Sequence, residues 1–144
     1  MAPDRNLLKL AIRESFADMP RPAQLDLISH RCCECDELAA NLHPHGAHDL
    51  PEAVFARHVW DLPLLSDDGK RYYLAAWLLR ALEPDDPGAA DAVVFALDSD
   101  HRWSPSTPYT GEQWLVVDQW LEAIAADEES LRDDVERVRD KLPK

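Results

Sequence analysis

The chain has 144 residues, of which 46% are hydrophobic and 30% charged, and its formal net charge is −13. This size predicts one helical domain over residues 1–144, and the longest apolar stretch, residues 72–82, is much shorter than the roughly 20 residues that span a bilayer. The sequence has no signal-peptide pattern, and its strong negative charge disfavours binding to a phosphate backbone. We therefore expect a cytoplasmic protein that contacts neither membranes nor nucleic acid directly.

The first predicted helix covers residues 4–19. Its apolar residues recur at helical spacing, and Asp4 is placed to accept a backbone N–H at the start of the helix. Pro20 and Pro22 end the pattern. The apolar stripe comprises Leu7, Leu8, Ala11, Ile12 and Phe16.

Two less regular helical stretches follow. Residues 23–42 predict a helix that is broken or kinked near the cysteines and stops at the turn His43-Pro44-His45-Gly46. Pro51 suits the first position of a short helix to about Asp61, because its fixed φ is helical and it has no N–H to leave unpaired.

Residues 67–82 are predicted to form the central helix of the fold. The run from Tyr72 to Leu79 is apolar on nearly every face, and a helix of that kind must be enclosed by other elements. Ser66 precedes it as a candidate N-cap.

The C-terminal half predicts further helices. Residues 89–97 favour a short helix, with a strand as the competing interpretation, and Thr110 with Gln113 matches a capping box that starts a helix at Gly111. Apolar residues then continue at helical spacing to Leu142, either as one long helix or with a break at residues 127–129. An unbroken helix would let residues 128–144 project and pair two copies into a homodimer.

These elements together predict an all-α fold. We expect an irregular bundle of five or six helices around the buried helix at about residues 67–82, with a long C-terminal helix or a helix pair.

One cluster of cysteines and histidines is a candidate zinc site. Cys32 and Cys35 form a Cys-x-x-Cys pair, and a tetrahedral zinc ion could bind both thiolates with two of His43, His45 and His48. Buried thiols and surface histidines are the competing interpretation. Cys-x-x-Cys is also a redox motif, but the strand that usually precedes it is not predicted here.

Catalytic motifs are scarce in this sequence. It has four glycines and contains no Gly-x-Ser-x-Gly elbow, glycine-rich phosphate loop or His-Glu-x-x-His helix. Asp98, Asp100 and His101 would serve a hydrolase only if the fold brought them to a nucleophile or a metal ion. We therefore expect a protein without enzymatic activity.

Three stretches, residues 32–56, 81–101 and 103–131, carry acids but neither Lys nor Arg. Trp103 and Tyr109 lie in a polar loop near the junction of the last two, and an exposed aromatic among acids suits a basic partner. A loop held in place by its aromatic side chains is the competing interpretation. The residues expected to contact the partner are Asp85, Asp86, Asp98, Asp100, Trp103 and Tyr109.

The segment from Leu64 to Leu78 resembles the hallmark of an uncharacterised bacterial family of unknown function, Leu-Ser/Thr-Pro-Glu-x-Phe-Arg-Tyr-Tyr-Leu-Pro-Ala-Tyr-Leu. Residues 33–39 and 109–113 look like that family's Glu-Cys-x-Glu-Ile and Phe-Thr-Pro-Glu-Gln segments, and the resemblance spans most of residues 7–126. It implies a shared helical scaffold and no particular activity. Ala75 stands where the family has proline, which implies a straighter central helix.

The resemblance implies a bacterial protein. Charge and the scarcity of catalytic motifs favour an acidic protein that neutralises or regulates a basic protein partner, such as a toxin immunity protein or antitoxin. Acidic patches accelerate encounter with a basic cleft, and an inhibitor needs no catalytic residues. The alternative is a small zinc-stabilised regulatory or structural module built on the cysteine and histidine cluster.

Overall fold

The computed structural model describes residues 4–86, 88–98 and 109–142. Over these ranges the chain forms seven α-helices and three short 3-10 turns, and its only β pairing is an isolated antiparallel bridge between Ile28 and Leu65. The all-α prediction is confirmed, with one helix more than expected. None of the described helices is long and apolar enough to cross a bilayer. The helices are α1 (Arg5–Ser15), α2 (Cys33–Leu42), α3 (Glu52–His58), α4 (Asp67–Ala81), α5 (Ala89–Leu97), α6 (Gly111–Asp127) and α7 (Arg132–Lys141).

Helix α4 lies at the centre of the fold, as predicted. The Tyr73 and Trp77 side chains are fully buried, so their polar atoms need partners inside the protein. The Trp77 indole donates to the Val59 carbonyl at 2.9 Å. The Tyr73 hydroxyl lies 2.9 Å from the carbonyl oxygen of Leu42 and 2.8 Å from that of His45. These bonds tie α4 to the ends of α2 and α3.

Helix α1 begins as predicted but buries a narrower stripe. The Asp4 carboxylate accepts the N–H of Leu7 at 3.0 Å, and Leu8, Ile12 and Phe16 are buried. Leu7 is 69% exposed, contrary to the prediction. Successive helical residues are about 100° apart, so a neighbour of Leu8 can fall outside the face that packs against α6.

The interruption predicted near the cysteines is a full break in the helix. Residues Gln24–Leu27 form a 3-10 turn, and Ile28 and Cys32 are extended. Helix α2 therefore starts only after Cys32, which is its N-cap.

Caps define the starts of the next helices. The Ser66 hydroxyl accepts the N–H of Gly69 at 3.0 Å, which confirms the predicted N-cap of α4. Residues 89–97 are helical, so the competing strand is excluded. The Thr110 hydroxyl accepts the N–H of Gln113 at 3.1 Å, and the Gln113 side chain accepts the N–H of Thr110 at 2.9 Å. The predicted capping box is confirmed.

The C-terminal segment is a helix pair. Helix α6 ends at Asp127, and Glu128 leaves the helical conformation with φ −120° and ψ 89°. Consecutive acids at a helix C-terminus repel each other and oppose the helix dipole, which favours an end there. Helix α7 then folds back onto α5 and α6, with Val135 and Val138 buried, so it does not project from the rest of the described chain.

Candidate functional site: an acidic cleft beside two exposed aromatic rings

Tyr109 is a core residue rather than an exposed contact. Its side chain is buried, and its hydroxyl lies 3.2 Å from the carbonyl oxygens of both Lys70 and Arg71 on α4. Its ring packs edge-on against Phe16 and Trp114, with centroids 5.6 and 5.0 Å away. Burial raises the pKa of Tyr109 well above its usual value. The competing interpretation, a loop end held by its aromatic side chain, describes this residue.

The other predicted contacts are dispersed. Asp100 and Trp103 lie outside the described residues, as does His101 of the hydrolase hypothesis. Asp85 is exposed and pairs with Arg80 at 3.1 Å, and this hydrogen bond lowers the pKa of Asp85.

Asp98 joins helices α5 and α7. Its carboxylate accepts a hydrogen bond from Arg137 of α7 at 3.0 Å, and its backbone carbonyl accepts one from Lys141 at 2.8 Å. The Arg137 hydrogen bond lowers the pKa of Asp98.

The predicted zinc ligands are not assembled. Cys32 and Cys35 lie at the start of α2, whereas His43, His45 and His48 follow its end. A helix of ten residues is about 15 Å long, and zinc ligands must lie within about 2.3 Å of one ion. Within the described part of the chain, no three His, Cys, Asp or Glu side chains are placed to hold a metal ion.

A different site lies where the ends of three helices meet α1. A cleft of about 430 Å³ opens between the C-termini of α4 and α6 and the N-terminus of α5. Among the described lining residues the only base is Arg5. We call this site the acidic cleft because its lining acids are Glu83, Asp86, Asp91, Asp127 and Glu128.

Two of the three helix ends at the acidic cleft add to its negative potential, and the positive N-terminus of α5 is capped by the Asp86 carboxylate. Helices α4 and α6 both end here, and the terminal carbonyl groups of a helix carry partial negative charge. The Arg5 guanidinium already engages part of this negative surface, since it donates to the Leu82 carbonyl at 2.9 Å and pairs with Asp127. The chain's own arginine thus shows which chemical group the cleft attracts.

The five acids differ in how far they are engaged. Glu83 pairs with Lys9 at 2.9 Å. Asp86 accepts three backbone N–H groups at the start of α5, at 2.7 to 3.1 Å. Asp91 and Glu128 are exposed, and neither has an ion pair with any residue in the described ranges. These two carboxylates can therefore bind an external cation without losing an internal one.

Two exposed aromatic rings adjoin the acidic cleft. Trp60 is 54% exposed and Phe95 46%, and their rings meet edge-on with centroids 6.3 Å apart. A Cβ on Gly88, which lines the cleft, would lie 3.9 Å from the Trp60 ring. Asp91 and Phe95 are four residues apart on α5 and so share one face of that helix.

Of the predicted partner contacts within the described residues, only Asp86 lines the acidic cleft, and the rest of this surface was not predicted. Trp60 stands among apolar neighbours, a setting that is typical of a core residue. The one local signal is the spacing of Asp91 and Phe95, which places an acid and an aromatic one helical turn apart.

Comparisons with known proteins add no relative. No protein-family model, curated protein or solved structure matches this chain. The resemblance to the uncharacterised bacterial family therefore stays a prediction, and a function has to be argued from the surface.

Proposed function

We propose that this protein is a non-catalytic binding protein that neutralises or regulates a basic protein partner, as a toxin immunity protein or antitoxin does. The observation that supports this proposal is the position of the acidic cleft directly beside the exposed Trp60 and Phe95 rings. Charge and aromatic surface, which the sequence suggested for a different loop, occur together here.

The two parts of the surface have different roles. Carboxylates steer a basic partner toward the cleft, and this effect on the association rate weakens with salt. Exposed tryptophan and phenylalanine provide contact area that can be dehydrated on binding, which mainly lowers the dissociation rate. Asp91 and Glu128 then pair with a Lys or Arg of the partner at the edge of the aromatic contact.

The first test separates this surface from the total charge of the protein. Asp91→Asn combined with Glu128→Gln removes two charges from the cleft. The matched control, Glu136→Gln combined with Asp140→Asn, removes two charges from exposed positions on α7. Each protein is used as bait for affinity co-purification from a lysate of the organism that produces it, at low and at high salt. Association rates are then measured with the purified basic partner.

We expect the wild-type protein and the control to retain a basic partner that high salt releases. The cleft variant should associate with it at least about tenfold more slowly at low salt, since steering changes association rates by 10- to 1,000-fold. Equal rates for the cleft variant and the control would reject the acidic cleft as the site. A wild-type protein that retains no basic partner would reject the proposed function.

Trp60→Ala tests the aromatic part of the surface. We expect it to weaken binding by about 2 kcal/mol, roughly thirtyfold in Kd, mainly through faster dissociation. Unchanged thermal unfolding would show that the loss is in binding rather than folding. Unchanged dissociation would contradict a role for the rings.

A further inference from the structure

Cys32 and Cys35, which are not placed to form a zinc site with other described residues, lie together at the start of α2. Cys32 is extended, with φ −155° and ψ 172°, and its sulfur accepts the N–H of Cys35 at 3.3 Å. The Cys32 sulfur thus occupies the position that a serine oxygen has in an ordinary N-cap. Cys35, three residues into the turn, is 2% exposed, whereas Cys32 is half-buried and Cys33 is exposed.

The chain that leads into this turn is held by tertiary contacts. The Ile28 to Leu65 bridge and the hydrogen bond from the Ser66 N–H to the Leu27 carbonyl, at 2.8 Å, anchor Leu27 and Ile28, which precede Cys32 in the chain. The strand that usually precedes a redox Cys-x-x-Cys is absent from the described segment before Cys32, but the first cysteine of such a pair lies at a helix N-terminus, as Cys32 does.

We propose that Cys32 and Cys35 form a reversible dithiol–disulfide couple that exchanges with small-molecule or protein disulfides, with Cys32 as the attacking sulfur and Cys35 as the resolving sulfur. This site lies at the start of α2 and does not depend on the proposed binding function.

The environments of the two sulfurs set the order of the steps. Cys32 is the sulfur that a substrate can reach, and the amide of Cys35 points at it. Burial, together with the adjacent Cys32 sulfur, raises the pKa of Cys35 to about 11. Cys35 therefore stays a protonated thiol until Cys32 has reacted.

The exchange is balanced in two steps. The Cys32 thiolate attacks one sulfur of a substrate R–S–S–R, the S–S bond breaks, and R–S⁻ leaves and takes up a proton. Cys35 then loses its proton to solvent and attacks the Cys32 sulfur of the mixed disulfide, and the second R–S⁻ leaves. The two protein thiols are oxidised by two electrons, and the substrate disulfide is reduced to two R–SH.

Oxidised glutathione is the probe, and the reduced full chain is the sample. We expect two of its three thiols to be lost, the protein mass to fall by two hydrogens, and a Cys32–Cys35 disulfide to appear in the peptide map. Dithiothreitol should restore all three thiols. In a Cys33→Ser protein the same two thiols should still be lost.

Cys35→Ser in that Cys33→Ser background removes the resolving sulfur, so a stable glutathione adduct should accumulate on Cys32. The proposal is overturned if Cys32 and Cys35 of the wild-type protein stay reduced while Cys33 carries the glutathione adduct. It is also overturned if the disulfide joins Cys33 to Cys32 or to Cys35. If the Cys35→Ser variant does not fold, the peptide map of the wild-type protein decides the question alone.

Discussion

Gly69 lies in the first turn of α4, directly against the backbone of Leu27. A Cβ at this position would lie 2.6 Å from the Leu27 carbonyl oxygen and 3.2 Å from the Leu65 side chain. A backbone carbonyl cannot move aside as the end of a flexible side chain can. We therefore expect Gly69→Ala to lower the free energy of unfolding by about 1–3 kcal/mol, measured by urea denaturation.

Gly111 provides the matched control for that substitution. It is the first residue of α6, and a Cβ there would meet nothing within 4 Å. Alanine is the better helix former, so Gly111→Ala should raise the free energy of unfolding by up to about 1 kcal/mol. Similar losses for both variants would show that the close approach at Gly69 is not the cause.

At the scale of elements, Gln113 connects two helices as well as capping one. Its side chain accepts the N–H of Thr110 and also donates to the Ser15 carbonyl at the end of α1, at 2.9 Å. Thr110→Ala removes the hydroxyl cap and should cost about 1 kcal/mol. Gln113→Ala also leaves the Ser15 carbonyl without this donor, so we expect a larger loss, about 2–3 kcal/mol. Thermal unfolding of the two variants would rank them, and equal losses would contradict the connecting role.

Helices α5 and α7 are joined through a carboxylate, and this joint should respond to acid. The Arg137 hydrogen bond lowers the pKa of Asp98 below its ordinary value of 3.8. A carboxyl group whose pKa is lower in the folded state than in the unfolded state stabilises the fold when the pH is above its unfolded-state pKa. That stabilisation is lost as the pH falls through its folded-state pKa.

Asp98→Asn tests this joint. The variant should be less stable than the wild type at neutral pH, and the difference should shrink as the pH falls below 3.8, because protonation removes the same charge from the wild type. The measurement is the free energy of unfolding in urea across that pH range. A difference that stays constant with pH would show that the charge of Asp98 does not stabilise the joint.

At the scale of the whole molecule, the predictable features were those that depend on near neighbours in the chain. The caps Asp4, Ser66 and Thr110 each bind an amide three residues ahead, so local sequence is enough to identify them. The central helix was predictable because an apolar run without a polar face has only one stable environment.

The acidic cleft, the surface proposed for binding, was not predictable in this way. The acidic cleft combines residues from α1, α4, α5 and α6, and its pair Arg5 and Asp127 is separated by 122 positions. Tyr109 shows the opposite difficulty, since a polar loop composition does not reveal that its hydroxyl faces the α4 carbonyls. The predicted zinc ligands are close in sequence, but the fold separates them because the cysteines precede helix α2 or lie in its first turn and the histidines follow its end.

The packing of α1 against α6 also limits how early the bundle can be completed during synthesis, because α6 is made long after α1. Gln113 and Ser15, like Arg5 and Asp127, meet only after α6 exists. At roughly 5–20 residues per second, ribosomes need on the order of ten seconds to extend the chain from α1 to the end of α6. The apolar side of α1, with Leu8 and Ile12, stays uncovered by α6 during that interval. A nascent chain arrested before Gly111 should therefore recruit chaperones that bind exposed apolar helices, and the released full-length chain should not.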